Sequence, residues 1–571
     1  MMIGTLLQYG AAGTGIVGTG LMLYSISNEE YAEYGAYLTG IASLFSALAL
    51  FYLANQFLVT DYTNGYVWTH VADYLSPLYR VTALYSGVEG SLLLWATLVG
   101  LVAYWTVRTG VSDRSERIVA TITVAVAAVF YVHAAIRTPF TPLDLRTGGT
   151  MFGPTGLNPL LKSPYMAIHP PITFIGYSLT VVPFAIGITH FLRLLHDGEG
   201  TFHSWVGSAT RWLRLSWGFL TASVALGAFW SYTTLGWGGL WAWDPVETAI
   251  LVTWLFVTAT LHVLSNYRAR GEHPLLAPTM TVLSLPSAIF ARFITQSGTS
   301  ELHSFASGAS PILTALLVVT TVVAVVLPLV RWLQLDGSES GADQRLLSHP
   351  FLLSLGSMVI GVLTFVSFWG LIFPQLQQYV GGPRIAVSAT FYNMWSFPLV
   401  LVVLLLIGLY NDFDVRGREG LKLLAGVIVL SAAAALVPLP AWQINPAKTS
   451  GYYGVIGQLN ILALAPPAAY AIGATVTRLG VRLPGIGSRE RRLALSGVGL
   501  VHVGIVLIVL SAPFTYMFAS SAAGMVPIAA GGHGGGVTLG ESTITVSASN
   551  YNASYVHSDL SLSDRERGTL R

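Results

Sequence analysis

Apolar residues in this chain run in long, nearly unbroken blocks separated by short polar or aromatic stretches. A helix needs about 20 mainly apolar residues to cross a bilayer, and inside it every backbone polar group must be satisfied within the segment. The blocks therefore predict about fourteen spanning helices, near Ile3–Tyr24, Ala36–Val59, Val88–Val107, Ile118–Ile136, Ile172–Phe191, Leu215–Tyr232, Thr248–Ser265, Leu275–Ile294, Pro311–Val330, Phe351–Phe373, Phe397–Tyr410, Leu421–Val437, Val455–Val476 and Leu493–Ser511. The predicted fold class is an all-α polytopic integral membrane protein. A transmembrane bundle occupies residues 1–512 and includes a Trp-rich segment at 230–248, and residues 513–571 form a tail. In the tail the composition turns to Gly, Ser and Thr, and VTLGESTITVSASN alternates with period two, which predicts a small β-rich appendage. No later apolar block follows it.

Composition agrees: 53% of the 571 residues are hydrophobic and only 9% charged, which excludes a soluble globular domain. The net charge of +2 says little, whereas the placement of the charges is informative. With loops alternating, most of the 28 Lys and Arg fall on one side, among them Arg108, Arg193, Arg268, Arg331, Arg416, Arg482 and Arg492. The positive-inside rule then puts the N-terminus and the tail on the extracytoplasmic side of a cell membrane. The first block lacks a basic flank and a cleavage signature, so it reads as a retained span. Without cysteine the chain has no disulfide or thiolate chemistry of its own.

Three outward segments, at 61–87, 137–171 and 232–247, are long and rich in Pro, Gly, Trp and Tyr, which predicts packed loops. The last holds Trp237-Gly238-Gly239-Leu240-Trp241-Ala242-Trp243-Asp244-Pro245-Val246-Glu247. Asp244 suits a helix N-cap, Pro245 the first helical position, and Glu247 lies at capping-box spacing. The glycines permit close backbone approach and the three indoles offer planar faces for a conjugated ring. The plainer alternative is an interfacial Trp belt beside a well-capped helix.

Histidines sort by position. His169 and His303 fall at outward helix ends, on the side of the Trp segment, while His262 and His502 fall inside predicted spans. At about 1.5 Å rise per residue, both of the latter lie in the middle to inner part of a hydrocarbon core about 30 Å thick. Two imidazoles at comparable depth suit axial ligation of one haem iron, and an interhelical hydrogen bond is the alternative for each alone. His133, near the outer end of the fourth span, is a third candidate. His70, His190, His196, His203, His273 and His349 read as solvated, and Glu89 as a charge at a helix N-terminus.

In this order, EGSLLLW, LNPLLKSPYMAIHPPITFIGYS, WGGLWAWDPVET, TATLHVLSN, RFITQSGTSELHSFAS, FYNMWSFPL and GLVHVGIVL resemble the CcmF family of cytochrome c haem lyases, which is related to CcmC and the CcsA-type synthases. The resemblance implies that His169 and His303 are axial ligands of a transiently held haem, and that Trp237, Gly238, Gly239, Trp241, Trp243 and Asp244 line its platform. It implies that His262 and His502 ligate a resident haem b fed with electrons by quinol. The implied activity is to receive haem from a CcmE-type chaperone and attach it through thioether bonds to the CXXCH cysteines of apocytochrome c. CcmH/CcmI-type thioreduction and apocytochrome-presenting proteins are further implied partners, besides membrane lipid and without nucleic acid. This chain departs from the family at Leu240, where Trp is common, at Val88, where His often precedes the Glu, and at ELHSFA. The family's larger outer domain and final helix are also missing, which points to a truncated chain, a divergent lineage or a separate polypeptide. Rival readings are a haem transporter of CcmC type, a quinol-oxidising b-type cytochrome subunit and a secondary transporter. No inverted repeat or intramembrane charge path supports the last.

Overall fold

A computed structural model of the chain describes residues 2–143, 154, 156–197, 205–234, 239–297, 308, 310–334, 348–383, 385–445 and 450–517, together with the backbone of 533–539, 542–552 and 555–562. The chain opens with a hairpin of α1 (Met2–Ser25) and α2 (Tyr31–Leu58). Two short helices follow, α3 (Gly65–His70) and α4 (Pro77–Ala83), then α5 (Val88–Thr109) and α6 (Arg114–Ile136). The middle of the chain holds α7 (Pro164–Leu179), α8 (Val181–Asp197), α9 (Trp205–Thr234), α10 (Pro245–Arg270), α11 (Leu276–Gln296) and α12 (Pro311–Gln334). The last third holds α13 (His349–Tyr379), α14 (Ala389–Arg416), α15 (Gly420–Ala435), α16 (Gly451–Gly457), α17 (Ala465–Arg482) and α18 (Arg489–Met517). Beyond them β1 (His533–Leu539), β2 (Ser542–Asn552) and β3 (Tyr555–Leu562) form an antiparallel sheet in the order β1-β2-β3.

Ten helical stretches among the described residues are long and apolar enough to cross a membrane. Apolar side chains that point away from the bundle cover their outer faces: Val318, Val322 and Val325 on α12 and Leu500, Leu507 and Ile508 on α18 are each at least half exposed. Water would penalise such a surface, whereas lipid tails solvate it. The chain is a multi-pass membrane protein. Two predicted spans have different shapes. Ile172–Phe191 is broken at Thr180, whose backbone N–H turns back to the Tyr177 carbonyl at 3.1 Å. Pro183 has no N–H to continue the ladder to Leu179. The block starting at Val455 becomes the short α16, a turn, and then α17, where Pro466 and Pro467 stand in the first turn, the helical position that proline suits.

The best-buried core lies among α5 to α11. Its centre is Trp95 on α5, which packs on Phe130 at 4.6 Å, Phe174 at 5.8 Å and Tyr177 at 5.9 Å between ring centroids. Segment 61–87, read as a packed loop, is tied down by α3. Asn64 caps that helix by accepting from the Tyr66 N–H, and the Tyr66 hydroxyl donates to the Leu84 carbonyl at 2.8 Å. Burial raises the pKa of the Tyr66 hydroxyl, keeping it a neutral donor. At the opposite end, α14 and α17 are pinned by Asp414, whose carboxylate accepts from Arg478 and Arg482 at 2.8 Å each.

Three of the histidines read as solvated are not. His190 is 7% exposed and stacks on Trp205 at 4.5 Å, His273 Nε2 bonds the Ser354 hydroxyl at 2.9 Å, and His70 sits against Gly87. His70 ends α3, His273 lies between α10 and α11 and His190 sits inside α8, and each is covered by a residue well away in the chain, which a linear reading of loop polarity does not register.

Candidate functional site

The site is built around α7. Pro170 and Pro171 stand inside this helix and remove two backbone donors. The Ala167 carbonyl that the Pro171 N–H would have bonded instead accepts from the Tyr85 hydroxyl at 2.5 Å, tying α7 to the segment before α5. His169 lies in the same turn. Its Nδ1 is 2.9 Å from the Ser223 carbonyl on α9, so in the neutral ring Nδ1 carries the proton and Nε2 the lone pair. Thr173 continues the clamp, accepting or donating with the Ser223 hydroxyl at 2.5 Å and donating to the His169 carbonyl at 2.9 Å. Gly227, one turn along α9, lets the imidazole lie flat on the helix, because a Cβ there would stand 2.9 Å from His169 Cε1.

His169 lines a half-open cavity whose free space, counted out into its open mouth, is about 880 Å³. Phe174 from α7, Trp230 from α9, Trp241 from the Trp segment, Glu247 from α10 and Arg292 from α11 share its wall. Asp244 caps α10, accepting from the N–H groups of Val246 at 2.9 Å and Glu247 at 3.3 Å. The return half of the capping box is not made: Glu247 is buried beside Ser231 of α9, among the residues that line the cavity. Trp243 has a left-handed backbone (φ 57°), a conformation a bulky residue adopts only when its surroundings impose it. Here they do: the indole stacks on Tyr392 of α14 at 4.8 Å and 8°, and its Nε1 donates to Asn393 at 2.7 Å. Trp241 and Trp243 consequently stand at 90° to each other, and of the two only Trp241 lines the cavity. These two indoles do not present one flat face. Gly239 joins the Trp segment to this arrangement, while Trp237, Gly238 and His303 lie outside the described residues.

A second pair of ligand-type side chains stands elsewhere in the bundle. The rings of His262 on α10 and His502 on α18 have centroids 6.5 Å apart and planes at 86°. Each Nδ1 donates to the carbonyl four residues earlier, Thr258 at 2.7 Å and Val498 at 2.8 Å, which leaves each Nε2 with the lone pair. A backbone carbonyl on the far nitrogen is the usual orienting partner of a metal-bound histidine. With metal–nitrogen bonds of about 2 Å, two imidazoles on opposite sides of one ion place their centroids about 6 Å apart. His133 is buried on α6 and does not line the cavity.

Arg292 and Glu247 in this cavity were not singled out as site residues from the sequence. The available signal was a charge inside an apolar block, which in a membrane segment marks function by default.

Residues 85–296, which include His169, the Trp segment and His262, match the family model described as cytochrome C assembly protein. The chain is 29% identical over 408 residues to the probable cytochrome c-type biogenesis protein NrfE of Escherichia coli (strain K12), covering 70% of this chain and 71% of that protein. It is 29% identical over 503 residues to the cytochrome c-type biogenesis protein CcmF of Pseudomonas aeruginosa, covering 82% and 71%. A solved structure of the cytochrome c haem lyase CcmF superposes with a TM-score of 0.69 at 21% identity, covering 98% of this chain and 86% of the other, so the two share a fold.

Proposed function

Because the chain belongs to the CcmF family of cytochrome c biogenesis proteins, we propose that it acts in cytochrome c maturation as a haem lyase. The observation that carries this reading is His169, whose ring is seated on α9 by Ser223 and Gly227 beside a cavity that also receives Trp241. The substrate is a haem delivered by a CcmE-type chaperone, with iron held between His169 and His303. Trp241 supplies an apolar wall for the porphyrin, and Asp244 acts by fixing the start of α10 and with it the Trp segment. CcmH/CcmI-type partners would present the apocytochrome c. Each cysteine S–H then adds across a vinyl double bond: a C–S bond forms, the hydrogen ends on the other vinyl carbon, and no external oxidant is consumed. The protein contributes by holding thiol and vinyl together, an advantage worth several orders of magnitude in effective concentration.

The geometry of His262 and His502 fits the axial ligation of a resident haem b, since both lone pairs and their spacing suit one iron. When bound, that haem would carry single electrons from quinol to keep the delivered iron reduced. In this reading the fourteen apolar blocks all cross the bilayer, and the N-terminus, the Trp segment and the three-stranded sheet face the extracytoplasmic side. A haem transporter of CcmC type would share the Trp segment without the intramembrane histidine pair.

The test is complementation of a strain lacking its own lyase, read as haem-stained holocytochrome c. His169→Ala should abolish the product while the variant protein still accumulates in the membrane. Undiminished holocytochrome c in that variant would refute the proposal.

A further inference from the structure

The cavity beside His169 contains a cation that the proposed role of its histidine and tryptophans does not use. Arg292 on α11 is 6% exposed and lines the cavity. Its Nη2 donates to the Ser91 hydroxyl at 2.7 Å, and its guanidinium lies over the Phe174 ring with the central carbon 5.6 Å from the ring centroid. These two contacts fix the plane of the group. Its Nε is buried with no hydrogen-bond acceptor, and among the described residues Arg292 is in none of the ion pairs. Glu89 acts on the guanidinium electrostatically without an ion-pair contact, and a buried guanidinium with no carboxylate in contact is costly, so natural proteins keep such a group where something else completes it. The planar fork of an arginine, with Nε and an adjacent Nη as parallel donors, matches a carboxylate in bidentate geometry.

We propose that Arg292 is the receptor for a carboxylate of the cavity's ligand, and that this carboxylate is a porphyrin propionate. The inference rests on the haem-lyase reading above and adds a second anchor point to it. His169 would fix the metal at the centre of the macrocycle, and Arg292 one edge of it. Two anchors decide which way round a nearly symmetric ring enters, and therefore which vinyl groups are presented to the thiols.

The experiment titrates the full-length protein in detergent with zinc protoporphyrin IX and with its dimethyl ester, whose fluorescence separates them from any haem already bound. Wild type is compared with Arg292→Gln, Arg292→Lys and His169→Ala. A charge-assisted hydrogen bond in a buried site predicts that Arg292→Gln weakens zinc protoporphyrin binding by about 10- to 100-fold. Arg292→Lys should recover part of that loss, and the ester should bind wild type and Arg292→Gln equally. Equal zinc protoporphyrin affinities in wild type and Arg292→Gln, with binding still lost in His169→Ala, would overturn the propionate receptor and leave the haem-binding reading standing. Equal weakening of acid and ester in Arg292→Gln would also overturn it, since only structure would then have been lost. Binding that His169→Ala leaves unchanged would overturn both readings.

Discussion

The imidazoles of His262 and His502, 240 residues apart in the chain, face each other at a centroid distance of 6.5 Å with planes at 86°, each oriented by the carbonyl one helical turn behind it. The spacing is too wide for the two rings to bond each other and suits one ion between them. A reduced-minus-oxidised visible spectrum of the detergent-purified protein, with haem quantified by the pyridine hemochrome, should therefore show a b-type signal. Both His262→Ala and His502→Ala should lose it. Retention of the full signal in either variant would exclude that residue as a ligand.

Gly227→Ala tests the seat of His169. The new methyl would stand 2.9 Å from Cε1, closer than real Cβ contacts, while the Nδ1 bond to the Ser223 carbonyl holds the imidazole against this same helix. Overpacking of this kind costs about 1–3 kcal/mol. We expect normal accumulation in the membrane with holocytochrome c reduced severalfold, whereas Gly207→Ala, where a Cβ meets nothing within 4 Å, should mature cytochrome c normally.

Asp244 touches the α10 N-terminus through two backbone N–H groups. If capping is its contribution, asparagine, which caps about as well, should preserve most holocytochrome c formation. Asp244→Ala should lower the thermal stability of the purified protein at a cost of about 1 kcal/mol and reduce maturation with it. A large loss of product in Asp244→Asn without a loss of stability would make the charge itself essential.

His70 supplies a pH dependence. Burial against Gly87, whose Cβ position would lie 2.4 Å from Nε2, lowers its pKa, so the folded segment holds it neutral. The unfolded segment binds the proton first. Stability of residues 61–87 is therefore full above the ordinary histidine pKa of about 6.5 and declines as the pH falls below it. Hydrogen exchange of this segment, corrected for intrinsic rates, should accelerate between pH 7.5 and about pH 5, and His70→Gln should remove that acceleration.

Much of the architecture was legible without coordinates because a bilayer makes a local demand. Each span must be apolar along its own length, so most of the blocks from Ile3 to Ser511 fall on helices, and ten helical stretches among the described residues are long and apolar enough to cross a membrane. The capping role of Asp244 was equally local, since the groups it satisfies are its nearest neighbours along the chain. The likeness to cytochrome c biogenesis proteins was carried by the order of short motifs.

Tertiary structure decided what depends on partners far away in the chain. Trp241 and Trp243 are two residues apart, yet only Tyr392 and Asn393, about 150 positions on, turn the second indole away from the cavity and impose its left-handed backbone. In the sequence Arg292 is a single charge inside an apolar block. Ser91, 201 positions earlier, orients it. The pairing of His262 with His502 was open for the same reason: depth in the membrane is set by position along a helix, but the direction a side chain faces is set by which helices pack together. Sequence records the solvent each residue needs, and packing alone records which residues share a wall.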